Sequence, residues 1–553
     1  MNQELEALRR RYTDEALLYL PRLFQMVDRN LYSPTYGSFD RSYWHYRTMD
    51  FPCGMYQEFT LPLALAYKYP FPDNQFHGLE RVKELAVAGV DFARRSSHPD
   101  GTCDDYFPYE RALGALVFSL YACTETCLLL DDKRAELLEF FARRGRWLET
   151  HNETGQLTNH QALAALALYN VYLLTGELRF RKASDKFVKI VRDWQSDEGW
   201  FQEYEGADPG YHTCTIAFLA KLWKKSQDEQ LLSLLNPAVD FAWYFMHPDG
   251  SYAGEYGSRN TYHFYPHGFE VMAPMNPRAA QIADQFLLKA LPKRTRYYND
   301  DDRMCSHYLY DWMHAYLDFS PVRSSEPLNA RLPFQKYFEK ARLYIENTPR
   351  YYAVLSLAKG GVLKVTTENG PVYSDTGFIG RTTDGKVLVS HIVDDYAIAV
   401  DPLRHRFRAA GRLCRRRAKL PTPYTQILFR IINLTLGRFA PNLLRFLLQK
   451  ILIVGKPRTD YMFEREFEFL PDRIRVRTTV QRPPQAKGFV SCHIASDATS
   501  IYVANSNVYQ RSVLLPWREL PSLQKLVNEK GQGEESFEIV IGSLSSAGAE
   551  EPT

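Results

Sequence analysis

Histidine, tyrosine, arginine, asparagine and carboxylate side chains gather in three segments of this 553-residue sequence, each at a turn beside a helix-patterned stretch. Asn159 and His160 open an Ala/Leu-rich run. The segment 198–212 holds Glu203, Glu205, Asp208, Tyr211 and His212 in a Gly- and Pro-containing stretch. The segment 254–268 holds Arg259, Asn260, Tyr262, His263 and His267. His and Tyr move protons, Asn and Arg bind anions, and paired carboxylates supply an acid and a base for glycoside hydrolysis. Asp104 with Asp105, or Glu203, Glu205 and Asp208, offer such pairs. Each cluster also has a structural reading: Thr158 or Asn159 can cap the helix that follows, and single acids commonly brace loops. A cap leaves His160 unexplained, and an ordinary turn needs far fewer aromatic residues than either longer segment carries.

Loops of this kind need a rigid scaffold. From the start to about residue 320 the apolar residues recur at helical spacing, predicting helices near 79–95, 110–130, 133–150, 158–176, 179–195 and 228–246. Turns such as His98–Thr102, Ser196–Trp200 and His247–Ser251 separate them. About twelve helices in six hairpins suit an α/α toroid, with a helical solenoid fitting nearly as well. After about residue 345 the period falls to two, predicting strands at 351–357, 360–367, 386–393 and 474–480 and a last one at 537–541. The expected architecture is α+β and multidomain: a toroid over 1–345 that carries the chemistry, an antiparallel β-sandwich over 346–541, and a tail over 542–553.

Apolar residues make up 45% and charged residues 24% of the chain, which excludes wholesale disorder and fibrous repeats. Eight cysteines without paired metal-ligand spacing predict free thiols and no structural zinc. No secretory signal is recognisable, and no uncharged apolar run approaches a bilayer span, so a cytoplasmic protein is expected. The net charge of +3 conceals an asymmetry: residues 404–458 hold fourteen Arg and Lys and no acid, leaving a net −11 for the rest.

Taken in order, the motifs resemble the heparinase II/III-like polysaccharide lyases and related alginate lyases, which pair an α/α toroid with a β-sandwich. The likeness rests on Asn159–His160, on Gly199-x-Phe201-x-Glu203 running to Tyr211, and on the acidic-aromatic loop Asp104–Arg111. It covers the toroid from Ser42 to Phe319 and, more faintly, the sandwich. The resemblance implies β-elimination at a uronic acid, with no metal or cofactor. Asn159 would bind the carboxyl group, His160 would assist or act as base, Tyr211 would be the acid and base, and Arg259 or His263 would complete the charge clamp. Asp105, Tyr106, Glu110, Arg111, Glu203, His212, Tyr262 and His267 would contact the sugar. One departure stands out: family members supply a His or Tyr from an early sandwich strand, and this chain has Lys359, Gly360 and Gly361 before its Ser374–Gly377 motif. Loss of lyase activity, a uronate C5-epimerase, a glycoside hydrolase, and a non-catalytic glycan-binding or polysaccharide-assembly protein are the alternatives.

The implied partner is an anionic, uronate-containing glycan. The basic stretch 404–458 reads as two short amphipathic helices, suited either to an anionic membrane surface, peripherally at the inner membrane, or to docking on the rest of the protein. It is more aliphatic than aromatic and carries no recognised motif, which argues against nucleic acid.

Overall fold

The computed structural model describes residues 3–153, 155–290, 303–325, 328, 333–416, 420–452, 456–497 and 514–541. Among the described residues twelve helices build the first half, apart from the single turn Arg41–Trp44. Six form an inner ring in chain order: Thr60–Lys68, Leu113–Leu130, Thr158–Thr175, Pro209–Ser226, His267–Met272 and Cys305–Leu317. The last packs against the first, so the ring closes into a toroid and the open solenoid is excluded. The other six, Gln3–Met26 among them, form the outer layer.

Burial explains the two layers. The outer helix Leu178–Asp193 turns Phe180, Ala183, Phe187 and Val191 inward and its charges outward. Inner helices are covered on all sides and are apolar all round. Leu113–Leu130 is consequently long and apolar enough to cross a membrane, with a mean hydropathy of 1.7, which the sequence was not expected to contain. Its place is the core of the ring, with 78% of it buried.

The second half is a two-sheet antiparallel sandwich. A five-stranded sheet runs in order from Phe334–Phe338 through Leu343–Asn347, Tyr352–Ser356 and Val362–Thr367 to Gly370–Asp375. It packs Ala353, Leu355, Leu363 and Val365 against Phe407, Phe467, Ile474 and Val476 of a nine-stranded sheet. The final strand is longer than its apolar run suggests, Gln532–Val540, and pairs along its whole length with Arg473–Gln481. The tail 542–553 lies outside the described residues.

Of the basic stretch 404–458, Arg406–Arg415 is itself a sheet strand. Its partner Arg458–Leu470 begins where it ends, with Cys414 opposite Arg458. The excursion between them carries helices Pro423–Ile432 and Pro441–Leu452.

The two halves are tied by buried lysines. Lys359 donates to the carbonyls of Glu255 and Gly257 and to the Asn260 side chain. Lys364 donates to the Tyr262 hydroxyl at 3.1 Å and pairs with Glu255 at 3.5 Å. All eight cysteines are buried, and none is joined in a disulfide. Among the described residues no group of three His, Cys, Asp or Glu side chains is gathered as a metal site.

Candidate functional site

The amino-terminal ends of four of the inner helices border a cavity of about 410 Å³. His160 comes from Thr158–Thr175, Tyr211 from Pro209–Ser226, His307 from Cys305–Leu317, and Leu113 and Phe118 from Leu113–Leu130. The positive ends of these helix dipoles therefore face one space, a setting that favours an anion.

One wall is organised by two buried carboxylates. Glu203 accepts the Asn159 side-chain amide at 2.8 Å and its backbone N–H at 3.0 Å, so this glutamate from a neighbouring loop caps the Thr158 helix. Neither Thr158 nor Asn159 caps it; the Thr158 hydroxyl donates instead to Gln202 O at 2.6 Å. The other oxygen of Glu203 takes Arg259 Nη1 at 3.0 Å, in a pair whose side chains are 5% and 0% exposed. Burial raises the Glu203 pKa and Arg259 opposes the rise. Asp208 caps the next helix by accepting from Tyr211 N at 3.0 Å, with Pro209 at its first position. The same carboxylate accepts the Arg259 backbone N–H at 2.9 Å and the Thr261 hydroxyl, fastening the 259–261 loop to the start of that helix. Arg259 is thereby held with its guanidinium carbon 3.7 Å from the Tyr211 ring centroid.

His160 hydrogen-bonds Glu153 through Nδ1 at 3.1 Å. The ring fits because residue 114 is glycine: a Cβ there would lie 3.0 Å from His160 Cε1.

The opposite wall is the loop Asp104–Arg111. Asp104 accepts from His98 Nε2 at 2.9 Å and from the backbone N–H groups of Tyr109 and Arg111, both of which adopt left-handed conformations. Asp105 accepts from Arg303 at 2.7 Å, and Arg303 also donates to the Tyr106 hydroxyl at 3.0 Å. Glu110 accepts the N–H groups of Asp105 and Tyr106. Burial, with the Asp105 charge adding to it, pushes the Glu110 carboxyl up to about 8.

The helix pair from the sandwich roofs the cavity. Phe429 and Leu448 line it, with the Phe429 ring 5.4 Å from Phe107. Arg445 donates to the carbonyls of Glu110 and Arg111.

Of the residues singled out from sequence, His160, Tyr211, Arg259, Asp105, Tyr106 and Glu110 meet at this cavity. Asn159, Glu203 and His263 stand behind its lining; His263 bonds the Tyr308 hydroxyl and meets the Tyr211 ring edge-on at 4.8 Å. Arg111 turns to Asp100 at 2.8 Å. His212 donates from Nε2 to Ala238 O at 2.8 Å between Phe201 and Phe241, and burial lowers its pKa to about 4. Tyr262 belongs to the lysine contacts between the halves. His267 bonds Asp318 at 2.7 Å, and burial lowers its pKa.

Glu153, Tyr204, Arg303, His307 and Arg445 line the cavity without having been singled out. His307 stacks on Phe118 with centroids 4.2 Å apart and pairs with Glu58 at 2.8 Å. Its signal in the sequence was a lone His in a helix, the pattern of an ordinary core position. Lys359, where the resemblance places a sandwich histidine, is absorbed by the 255–260 loop, and burial lowers its pKa to about 8.

No known protein family and no curated protein matches the sequence. Solved structures do. A chondroitin AC lyase from Streptomyces coelicolor A3, solved in complex with chondroitin sulphate, is 13% identical at a TM-score of 0.51, over 90% of this chain and 72% of the lyase. A heparinase III is 11% identical at 0.44, over 89% of this chain and 72% of its own. An unsaturated glucuronyl hydrolase from Streptococcus agalactiae is 12% identical at 0.34, over 59% and 82%. What the chain shares with the first of these is the fold.

Proposed function

We propose that the protein cleaves a uronate-containing glycan by β-elimination in the cavity at the amino-terminal end of the inner ring. The observation that carries this reading is the convergence of two proton-transfer groups, His160 and Tyr211, with the Arg259 guanidinium over the Tyr211 ring. In the reaction the C5–H bond breaks, its electron pair becomes the C4=C5 double bond, and the C4–O4 bond breaks as O4 takes a proton. His160 or Tyr211 removes the C5 proton, and Tyr211 protonates O4. The Arg259 charge stabilises a phenolate at Tyr211. Arg259, Arg303 and the helix ends offset the substrate carboxylate and the charge that develops on it. Asn159, expected to bind that carboxylate, is engaged by Glu203 and serves to hold Arg259 in place through it.

One observation favours glycoside hydrolysis as a second reading. Glu110, with its carboxyl pushed up to about 8, lines the cavity with Asp105, giving an acid protonated near neutral pH beside a second carboxyl group.

Incubation with uronate oligosaccharides should give a 4,5-unsaturated product absorbing in the near ultraviolet. Tyr211→Phe should abolish turnover, by about a hundredfold or more, while substrate binding persists. New reducing ends without that absorbance would replace the lyase reading with the hydrolase. Solvent deuterium at C5 without cleavage would make the protein an epimerase, and binding without any change in the sugar would leave it a glycan-binding protein.

A further inference from the structure

We infer that the roof, helices Pro423–Ile432 and Pro441–Leu452, docks in the plane of a lipid bilayer containing anionic phospholipid. The inference rests on the two faces of these helices and on their charge, and stands independently of the reaction below them. Facing inward, Phe429 and Leu448 line the cavity, Leu444 packs on Gly437, and Arg445 binds the carbonyls of the Asp104–Arg111 loop. Facing outward, Tyr424, Ile427, Leu428 and Ile431 follow i, i+3, i+4, i+7 spacing and are 84%, 61%, 59% and 53% exposed. Phe439 and Phe446 continue the surface at 82% and 52%.

An amphipathic helix with apolar residues on two sides needs cover for both. Here one side has its core, and the other has no protein cover among the described residues. Single exposed apolar side chains are ordinary, whereas a contiguous helical stripe marks an interaction surface.

Charge selects the occupant. The excursion itself, residues 416–457, carries eight Arg and Lys and no acid; Arg430, Arg445 and Lys456 are engaged by Asp50, the Glu110 and Arg111 carbonyls and Glu205, and the stripe still lies in a segment of net positive sequence charge that an anionic surface attracts. A second copy of the chain is disfavoured, because it would set two such cationic segments against each other. With 10 and 12 residues, the helices fall well short of the roughly 20 needed to span a bilayer, so they lie in its surface. Docking would bring the cavity that they roof next to the membrane.

The test uses the full chain and sedimentation with phosphatidylcholine vesicles, with and without phosphatidylglycerol. Binding should rise about tenfold or more with phosphatidylglycerol and fall severalfold as salt screens the arginines. The double variant Leu428→Asp/Ile431→Asp should lose about tenfold in binding with an unchanged circular-dichroism melt. If that variant unfolds, Tyr424→Ser/Leu428→Ser carries the test with a smaller loss. Equal binding to neutral vesicles, undiminished binding by a folded variant, or a solution dimer that the variant dissociates in place of vesicle binding would overturn the inference.

Discussion

Neighbouring residues in the site have different fates because successive side chains on a helix point about 100° apart. His160 faces the cavity while Asn159 turns to Glu203. Tyr211 faces the cavity while His212 turns to Ala238. A pair of chemically suitable residues in sequence therefore becomes one reacting group and one supporting group. Glu110 offers a pH test at this scale. Burial, with the Asp105 charge beside it, disfavours the charged form and pushes its carboxyl up to about 8 in the folded protein, from an ordinary 4.5. Between those values the folded state holds a proton that the unfolded chain releases, so the Glu110 contribution to stability falls as pH climbs from about 4.5 to about 8. Glu110→Gln stays neutral in both states. Urea unfolding at pH 5 and pH 8 should show a smaller difference between the two in the variant, by up to a few kcal/mol. An equal difference in both proteins would show that Glu110 ionises normally.

At the level of elements, one helix boundary is encoded locally. Asp208–Pro209 is an N-cap followed by proline at the first helical position, which starts the helix at Pro209 and moves Tyr211 and His212 from the expected loop into its first turn. The roof shows the converse. Amphipathic spacing revealed its helices, but the side chains that bind it to the toroid are scattered from Asp50 to Arg111: Arg430 pairs with Asp50 at 3.2 Å, and Phe429 meets Phe107. The strands that carry the roof meet at Cys414 and Arg458. Replacing 417–455 by a short Gly-containing turn should consequently leave a folded protein, with Tm lowered by a few degrees at most. The cavity should lose its cover, and the KM for short substrates should rise about tenfold or more with the loss of the roof contacts. Collapse of the fold would show that the roof is a structural part of the sandwich, and an unchanged KM would show that it takes no part in binding.

At the level of the molecule, the sandwich is organised around a buried ion pair. Arg465 and Asp375 are both fully buried, bonded at 2.6 Å and 2.9 Å, and Arg465 also donates to Gly361 O at 2.6 Å. The pair links the nine-stranded sheet to the end of the five-stranded one. Asp375→Ala strands the guanidinium in the core and should cost about 3–5 kcal/mol in chemical denaturation. Adding Arg465→Met should recover most of that loss, because an apolar side chain needs no partner there. A single variant within about 0.5 kcal/mol of the parent would remove the pair from any structural role.

The sequence by itself determined the order of the fold, helices then strands, since the change of apolar period from 3.6 to two is a local property of the chain. It also determined which loops carry proton-transfer groups, because those groups crowd at the starts of the inner helices. Only the tertiary structure decided which of them meet. Closing the ring set Cys305–Leu317 against Thr60–Lys68 and brought His307 and Arg303 to a cavity shared with residues of six other segments. Only there did Lys359 become a tie to the 255–260 loop, and the basic stretch divide into a sheet strand and a roof. Contacts between residues a hundred or more positions apart depend on ring closure and sheet register, which no local pattern encodes.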